Sequence, residues 1–147
     1  MSEINPEVLK VFGFWGSILV LKMLAMVPLT GRQRFRKRVF ANKEDLMFQD
    51  KVKAKVTYDD PDVERVRRAH LNDLENILPW FIITYLWLGT GPSAWLAKTL
   101  IRTFVLSRVA HTMSYAVYSQ QPMRAITFFV AWGVMGFEAV KTLLYYS

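Results

Sequence analysis

DPDVERVRRAHLNDLENILPWFIITYLWLG, residues 60–89, opens as a charged helix and closes as an apolar one. Asp60 is a good N-cap, Pro61 suits the first helical position, and Asp62 and Glu64 suit the positive end of the helix dipole. The apolar part, Ile77 to Gly89, is only about 13 residues, where a membrane-spanning helix needs about 20. A span built here must draw part of the charged half into the bilayer or its interface. Ionisable groups at that depth are costly and turn towards a protein interior. At about 100° per residue, Glu64, Arg68, Leu71, Asn72 and Glu75 share one arc of the helix, with His70 and Asp73 on the other side. Pro79 cannot donate to the carbonyl of Glu75, so a bend is expected there. The stretch is either a polar site or a charged packing seam, and alone it does not choose between them.

Composition places the stretch in a membrane. Of 147 residues, 52% are hydrophobic, with five Trp and ten Phe, too apolar for an ordinary soluble domain. A single membrane domain over residues 1–147 is expected. Without cysteine there is no disulfide framework and no cysteine nucleophile or metal ligand. The net charge of +7 is concentrated between the apolar segments rather than along one face, the pattern of membrane orientation and not of nucleic-acid binding.

Four spans are expected, over residues 8–30, 61–89, 94–118 and 122–146, in an up-down all-α bundle. Val8 to Leu29 is long enough to cross, although Lys22 interrupts it, and Glu3 and Glu7 precede it where a signal peptide would be positive. Arg32, Arg34, Arg36, Lys37 and Arg38 follow at once. The positive-inside rule makes this connection, residues 31–60, cytosolic and both termini luminal. Asn42 is a candidate cap before KEDLMF, Thr90 to Ser93 a short turn, and Ser119 to Pro122 another.

That topology brings four helix ends to the cytosolic leaflet. They carry Arg34; Arg68, Asn72 and Glu75; Arg108, His111 and Tyr115; and Arg124. On the third helix Arg108, His111 and Tyr115 form a polar stripe on an apolar background. Polar groups from every span at one level point to a pocket open to the cytosol. Simpler roles stand beside that reading: Arg108 as partner of Glu75 or Asp73, His111 bonding across helices, and Tyr115 as an interfacial tyrosine. Glu138 and Lys141 are expected on the luminal surface.

The inventory suits a small zwitterionic polyanion. Two histidines, no HExxH and no paired Glu-x-x-His motif give no metal site to expect. There is no nucleophile elbow, phosphate loop or dinucleotide fingerprint. Arginine forks suit carboxylates, Glu75 an ammonium and Asn72 a peptide unit. Glutathione fits that list, and so do other anions.

VERVRRAHLNDLENILPW, with FANKED before it and RVAHTMSY after it, resembles the membrane-associated eicosanoid and glutathione metabolism family, MAPEG, over most of the chain from Lys22 to Leu144. The resemblance implies a four-helix subunit in a homotrimer, with glutathione as co-substrate between neighbouring subunits near the cytosolic face. It places glutathione contacts on Arg34, Arg68, Asn72, Glu75, His111, Tyr115 and Arg124, with Arg124 the main thiolate stabiliser and Tyr115 assisting. The implied activity is conjugation of glutathione to hydrophobic electrophiles that enter from membrane lipid, together with reduction of lipid hydroperoxides. The implied location is the endoplasmic reticulum membrane, with the mitochondrial outer membrane as the alternative. In the prostaglandin-isomerising branch a serine and a tyrosine stand where this chain has Ala125 and Phe128, and an arginine where it has Leu71, whereas Asp45 matches. Isomerisation is therefore the alternative activity, and a non-enzymatic lipid-presenting scaffold the second alternative.

Overall fold

The computed structural model describes residues 2–48, 54–117 and 121–147. Its first helix, α1 (Pro6–Lys37), is capped by Asn5, whose Oδ1 accepts from the backbone N–H groups of Glu7 at 2.9 Å and Val8 at 3.4 Å. The expected end near residue 30 is too early. The helix runs on through Arg32, Arg34 and Arg36, because arginine, lysine and glutamine are good helix formers and cations stabilise a helix C-terminus. It stops at Arg38, left-handed at φ 57°, whose N–H returns to the carbonyls of Arg34 and Phe35.

The connection after α1 holds short pieces of regular structure beside an otherwise all-helical fold. Strand β1 (Val39–Phe40) pairs in parallel with β2 (Lys55–Val56), and a 3₁₀ turn covers Glu44–Phe48 between them. Asn42 does not cap in the expected manner: its side-chain amide donates to Asp45 Oδ2 at 3.4 Å instead of accepting from backbone. The Thr57 hydroxyl holds the Asp59 carboxylate below its usual range, and the Lys37 ammonium, 2.5 Å from Asp62, ties the end of α1 to the start of α2.

Helix α2 (Pro61–Leu88) begins as expected, with Asp60 Oδ1 accepting from Asp62 and Val63. Helix α3 covers Ala94–Thr112 and passes directly into a π-helical turn, Met113–Val117. Helix α4 is Met123–Tyr146. The expected end of the third helix at residue 118, and Ser119 and Gln120 of the turn after it, lie outside the described residues. Of the four helices, α1 and α4 are long and apolar enough to cross a membrane by themselves; α2 spends its first half on charge and α3 carries Lys98, Arg102 and Arg108.

The helices stand at the corners of a square in the order α1, α2, α4, α3, so that consecutive α2 and α3 sit on a diagonal. Contacts at both ends fix the directions. Ser2 donates from N and Oγ to the carbonyl of Gly89 at 2.9 and 2.7 Å, and Lys37 meets Asp62 at the other end, so α1 and α2 are antiparallel. Glu7 lies 3.8 Å from Lys98, so α1 and α3 run the same way. Leu19, Ile77, Trp80, Trp87, Ile101, Phe104 and Ala131 fill the centre, with Trp80 stacked flat on Phe104 at 4.6 Å. Gly16 admits the ring of Phe81 here: a Cβ would lie 2.7 Å from it. Leu21, Leu24, Ile82, Trp95, Phe129 and Trp132 face outward, an apolar exterior suited to lipid rather than water.

Glu138 departs from expectation. Lys141 is exposed, but Glu138 is 0% exposed, and Thr84 Oγ1 donates to its Oε2 at 2.6 Å. The reason is its register: Thr127, Ala131, Val134, Glu138 and Thr142 recur at helical spacing on the inward face of α4. Because the other carboxyl oxygen is enclosed and, among the described residues, has no partner, removing the Thr84 donor is costly. Thr84→Val is expected to destabilise the bundle by about 1–3 kcal/mol, and the double change Thr84→Val with Glu138→Met by less than that single change. Thermal unfolding in detergent checks this, and additive losses would show that the pair is not coupled.

Candidate functional site

At the basic end of the bundle α2 brings a carboxylate to its centre. Asp73 is fully enclosed; its Oδ1 lies 2.6 Å from Lys22 Nζ of α1 and accepts from Arg108 Nη2 of α3 at 2.6 Å, while Oδ2 accepts from Thr112 at 3.3 Å. Lys22 thus interrupts an apolar span because an anion waits at its depth. Of the two sequence-level partners for Arg108, the structure selects Asp73, and Glu75 is exposed.

The same Arg108 Nη2 donates at 2.8 Å to Asn72 Oδ1. A guanidinium has only donors, so Asn72 is fixed with its oxygen inward and its NH₂ left for the surface. There a cleft of about 310 Å³ opens, lined by Asn72, His111, Tyr115, Gln121, Arg124, Ala125, Phe128 and Phe129. Its cation is Arg124, from the first turn of α4. The guanidinium carbon stands 4.7 Å from the centre of the Tyr115 ring, a cation–π contact that aligns guanidinium and phenol. Tyr115 itself lies in the π-helical turn, an arrangement frequent at functional sites. His111 is behind them, its ring 5.7 Å from that of Tyr115 and its Nδ1 3.1 Å from the backbone oxygen of Arg124.

Four of the seven expected site residues therefore meet: Asn72, His111, Tyr115 and Arg124. The other three do not join them within one subunit. Arg68 and Glu75 are exposed on the outward face of α2 with Leu71, and among the described residues neither forms an ion pair. Arg34 lines a second cleft of about 340 Å³ with Gly31, Phe35, Phe40 and Asp45, where its Nη1 is enclosed and, among the described residues, has no hydrogen-bond partner. Chemically, the first cleft can hold an anion against Arg124 and an acceptor against the Asn72 amide, beside the apolar wall of Phe128 and Phe129.

Sequence reasoning missed Gln121, Phe128 and Phe129 as lining residues, and left Lys22 and Asp73 unconnected. The signal for the last pair was present: a lysine inside an apolar span calls for an anion at the same depth, and Asp73 lies on the side of α2 away from the exposed arc.

The MAPEG family model matches residues 12–144. Microsomal glutathione S-transferase 1 from Homo sapiens is 40% identical over 146 residues, 96% of this chain and 94% of the relative, and that from Mus musculus is 41% identical over the same shares. Prostaglandin E synthase from Homo sapiens is 36% identical over 127 residues, 86% of this chain and 82% of its own. With two helices able to span by themselves and an apolar exterior, this chain is a membrane protein that belongs to the MAPEG family.

Proposed function

We propose that the protein is a membrane glutathione transferase that conjugates glutathione to hydrophobic electrophiles and also reduces lipid hydroperoxides. The observation that carries this reading is the cleft in which Arg124 lies over Tyr115 beside the fixed amide of Asn72. A free thiol has a pKa of about 8.5, so only a few per cent is nucleophilic at neutral pH. Lowering it by about two units takes about 2.7 kcal/mol of preferential thiolate stabilisation, the order supplied by charge-assisted hydrogen bonds in a partly desolvated site. Arg124 is the main stabiliser in this reading and Tyr115 assists. The thiolate sulfur attacks the electrophilic carbon, the leaving group departs with the bonding pair, and the thiol proton passes to water.

The remaining residues of the set fit a homotrimer. Arg68 and Glu75 project from the outward face of α2, and Arg34 lies in a different cleft, so one copy alone does not close round a tripeptide; a second copy against that face supplies the missing wall. In this reading the chain is one membrane domain with four spans, the basic end of the bundle is cytosolic, glutathione enters there, and the electrophile arrives from lipid. The endoplasmic reticulum membrane is the expected home.

The test is an assay of purified protein with glutathione and a chlorinated nitrobenzene. Turnover of that electrophile, with calorimetric binding of glutathione, is the expected result. Likeness to prostaglandin E synthase and the presence of Asp45 beside Arg34 favour isomerisation of a prostaglandin endoperoxide as the second reading. Turnover of the endoperoxide alone would select it. Absence of glutathione binding in detergent and in lipid would leave the scaffold reading.

A further inference from the structure

The two nitrogens of His111 have different surroundings. The residue is 3% exposed. Nδ1 lies 3.1 Å from the carbonyl oxygen of Arg124 and 3.4 Å from Thr127 Oγ1, while Thr127 itself donates to the carbonyl of Met123 at 2.9 Å. A carbonyl only accepts, so Nδ1 must carry the proton, and the neutral ring is left with a bare Nε2. That Nε2 is enclosed and, among the described residues, has no partner. The ring therefore directs its one donor at the backbone of α4.

That backbone is otherwise bonded within α4 itself, Thr127 Oγ1 lying 3.2 Å from the same Arg124 carbonyl and the N–H groups of Ala125 and Ile126 donating to Pro122 at 2.9 and 3.1 Å, so the His111 bond is the one that ties it to α3. Pro122, at the N-cap of α4, makes no side-chain capping bond, whereas α1, α2 and α3 are all capped by the side chain before them. Arg124 stands in that first turn, and its guanidinium must be held over Tyr115, which rides on the π-helical turn following His111. A shift of the first turn of α4 against the end of α3 would part the two.

We propose that His111 is a positioning residue: its Nδ1–H fastens the first turn of α4 to the end of α3 and thereby sets the Arg124 guanidinium over Tyr115. This rests on Arg124 being the thiolate stabiliser. It adds, to the ligand contact that family resemblance gives His111, an action through the backbone of another residue.

Asparagine places an amide N–H close to where imidazole has Nδ1, and glutamine close to where it has Nε2, so His111→Asn and His111→Gln separate the two nitrogens. In the H111Q protein, turnover of a chlorinated nitrobenzene is expected to fall on the order of 10-fold or more, since small misplacements of catalytic groups have effects of that size. The ultraviolet thiolate absorption of bound glutathione should fall with it, while calorimetric affinity for glutathione changes by less than about threefold, the split expected of a group acting in the transition state. H111N is expected to recover most of the turnover and of the thiolate signal. Equal losses in both variants, or wild-type behaviour of H111Q, would overturn the proposal. Arg124→Ala is the control for the premise: if it leaves the thiolate signal intact, the reading of Arg124 fails, whereas a lowered signal in R124A beside a normal one in H111Q overturns the role of His111 alone. Independently of whether any His111 variant folds, histidine-selective nitrogen NMR of the unaltered site, assigned with His70→Gln, should show the Nδ1–H neutral tautomer. An Nε2–H tautomer would overturn the assignment.

Discussion

Replacing Asp73 with asparagine is expected to cost about 3–5 kcal/mol of stability, the usual penalty for removing one partner from a buried ionic group. Among the described residues Asp73 is the only fully enclosed anion in contact with two cations: Lys22 Nζ and Arg108 Nη2, each at 2.6 Å. Arg108 is 0% exposed and the Lys22 side chain 12%, so neither can recover its hydration by a small movement. Without the carboxylate, two enclosed positive charges face an amide. Lys22→Met is expected to cost less, because it removes one cation from a cluster that holds two against one anion. The effect of D73N should extend to the cleft, since the Arg108 nitrogen released by Asp73 is the one that orients Asn72. Thermal unfolding in detergent with and without glutathione measures both consequences. A milder loss for D73N than for K22M would show that the cluster is not held together by its charge.

Replacing Arg124 with alanine is expected to lower kcat on the order of 10²–10³-fold, the usual result of removing a donor aimed at developing or stabilised negative charge. The affinity for glutathione should change far less, because the tripeptide keeps its other contacts. The geometry supports the distinction: Arg124 lies over the Tyr115 ring at one side of the cleft, while Asn72 is fixed from behind by Arg108. Arg124→Lys keeps the charge but loses the planar fork and should recover only part of the rate. Stopped-flow conjugation with calorimetric titration separates the two quantities. Equal loss of turnover and affinity would make Arg124 a carboxylate anchor.

The parts of this fold that sequence made legible are those governed by periodicity and caps. Asp60 followed by Pro61 marked the start of α2, and helical spacing put Asp73 on the side of that helix away from Arg68 and Glu75. A wheel gives angles between side chains but not which side meets the core, and for that reason the outward aim of Arg68 and Glu75 did not follow from it. The inward side was marked by Asp73, whose significance depended on a lysine some fifty residues earlier, a contact that only the folded chain creates. Glu138 was legible in principle, since it continues the spacing of Ala131 and Val134, but its charge type outweighed its register in the reading. The π-helical turn under Tyr115 has no local signal in MSYAV, and the continuation of α1 through its arginines was obscured because a basic cluster reads equally well as helix or loop.

Trp80, lying flat on Phe104, has an optical consequence. It and Trp87 are shut inside the bundle, whereas Trp95 and Trp132 are 75% and 58% exposed. Brominated acyl chains reach the outer indoles and not the inner ones, so the chain's own fluorescence contains a fraction sheltered from such quenchers. Loss of that shelter reports the parting of α2 from α3 without any attached dye.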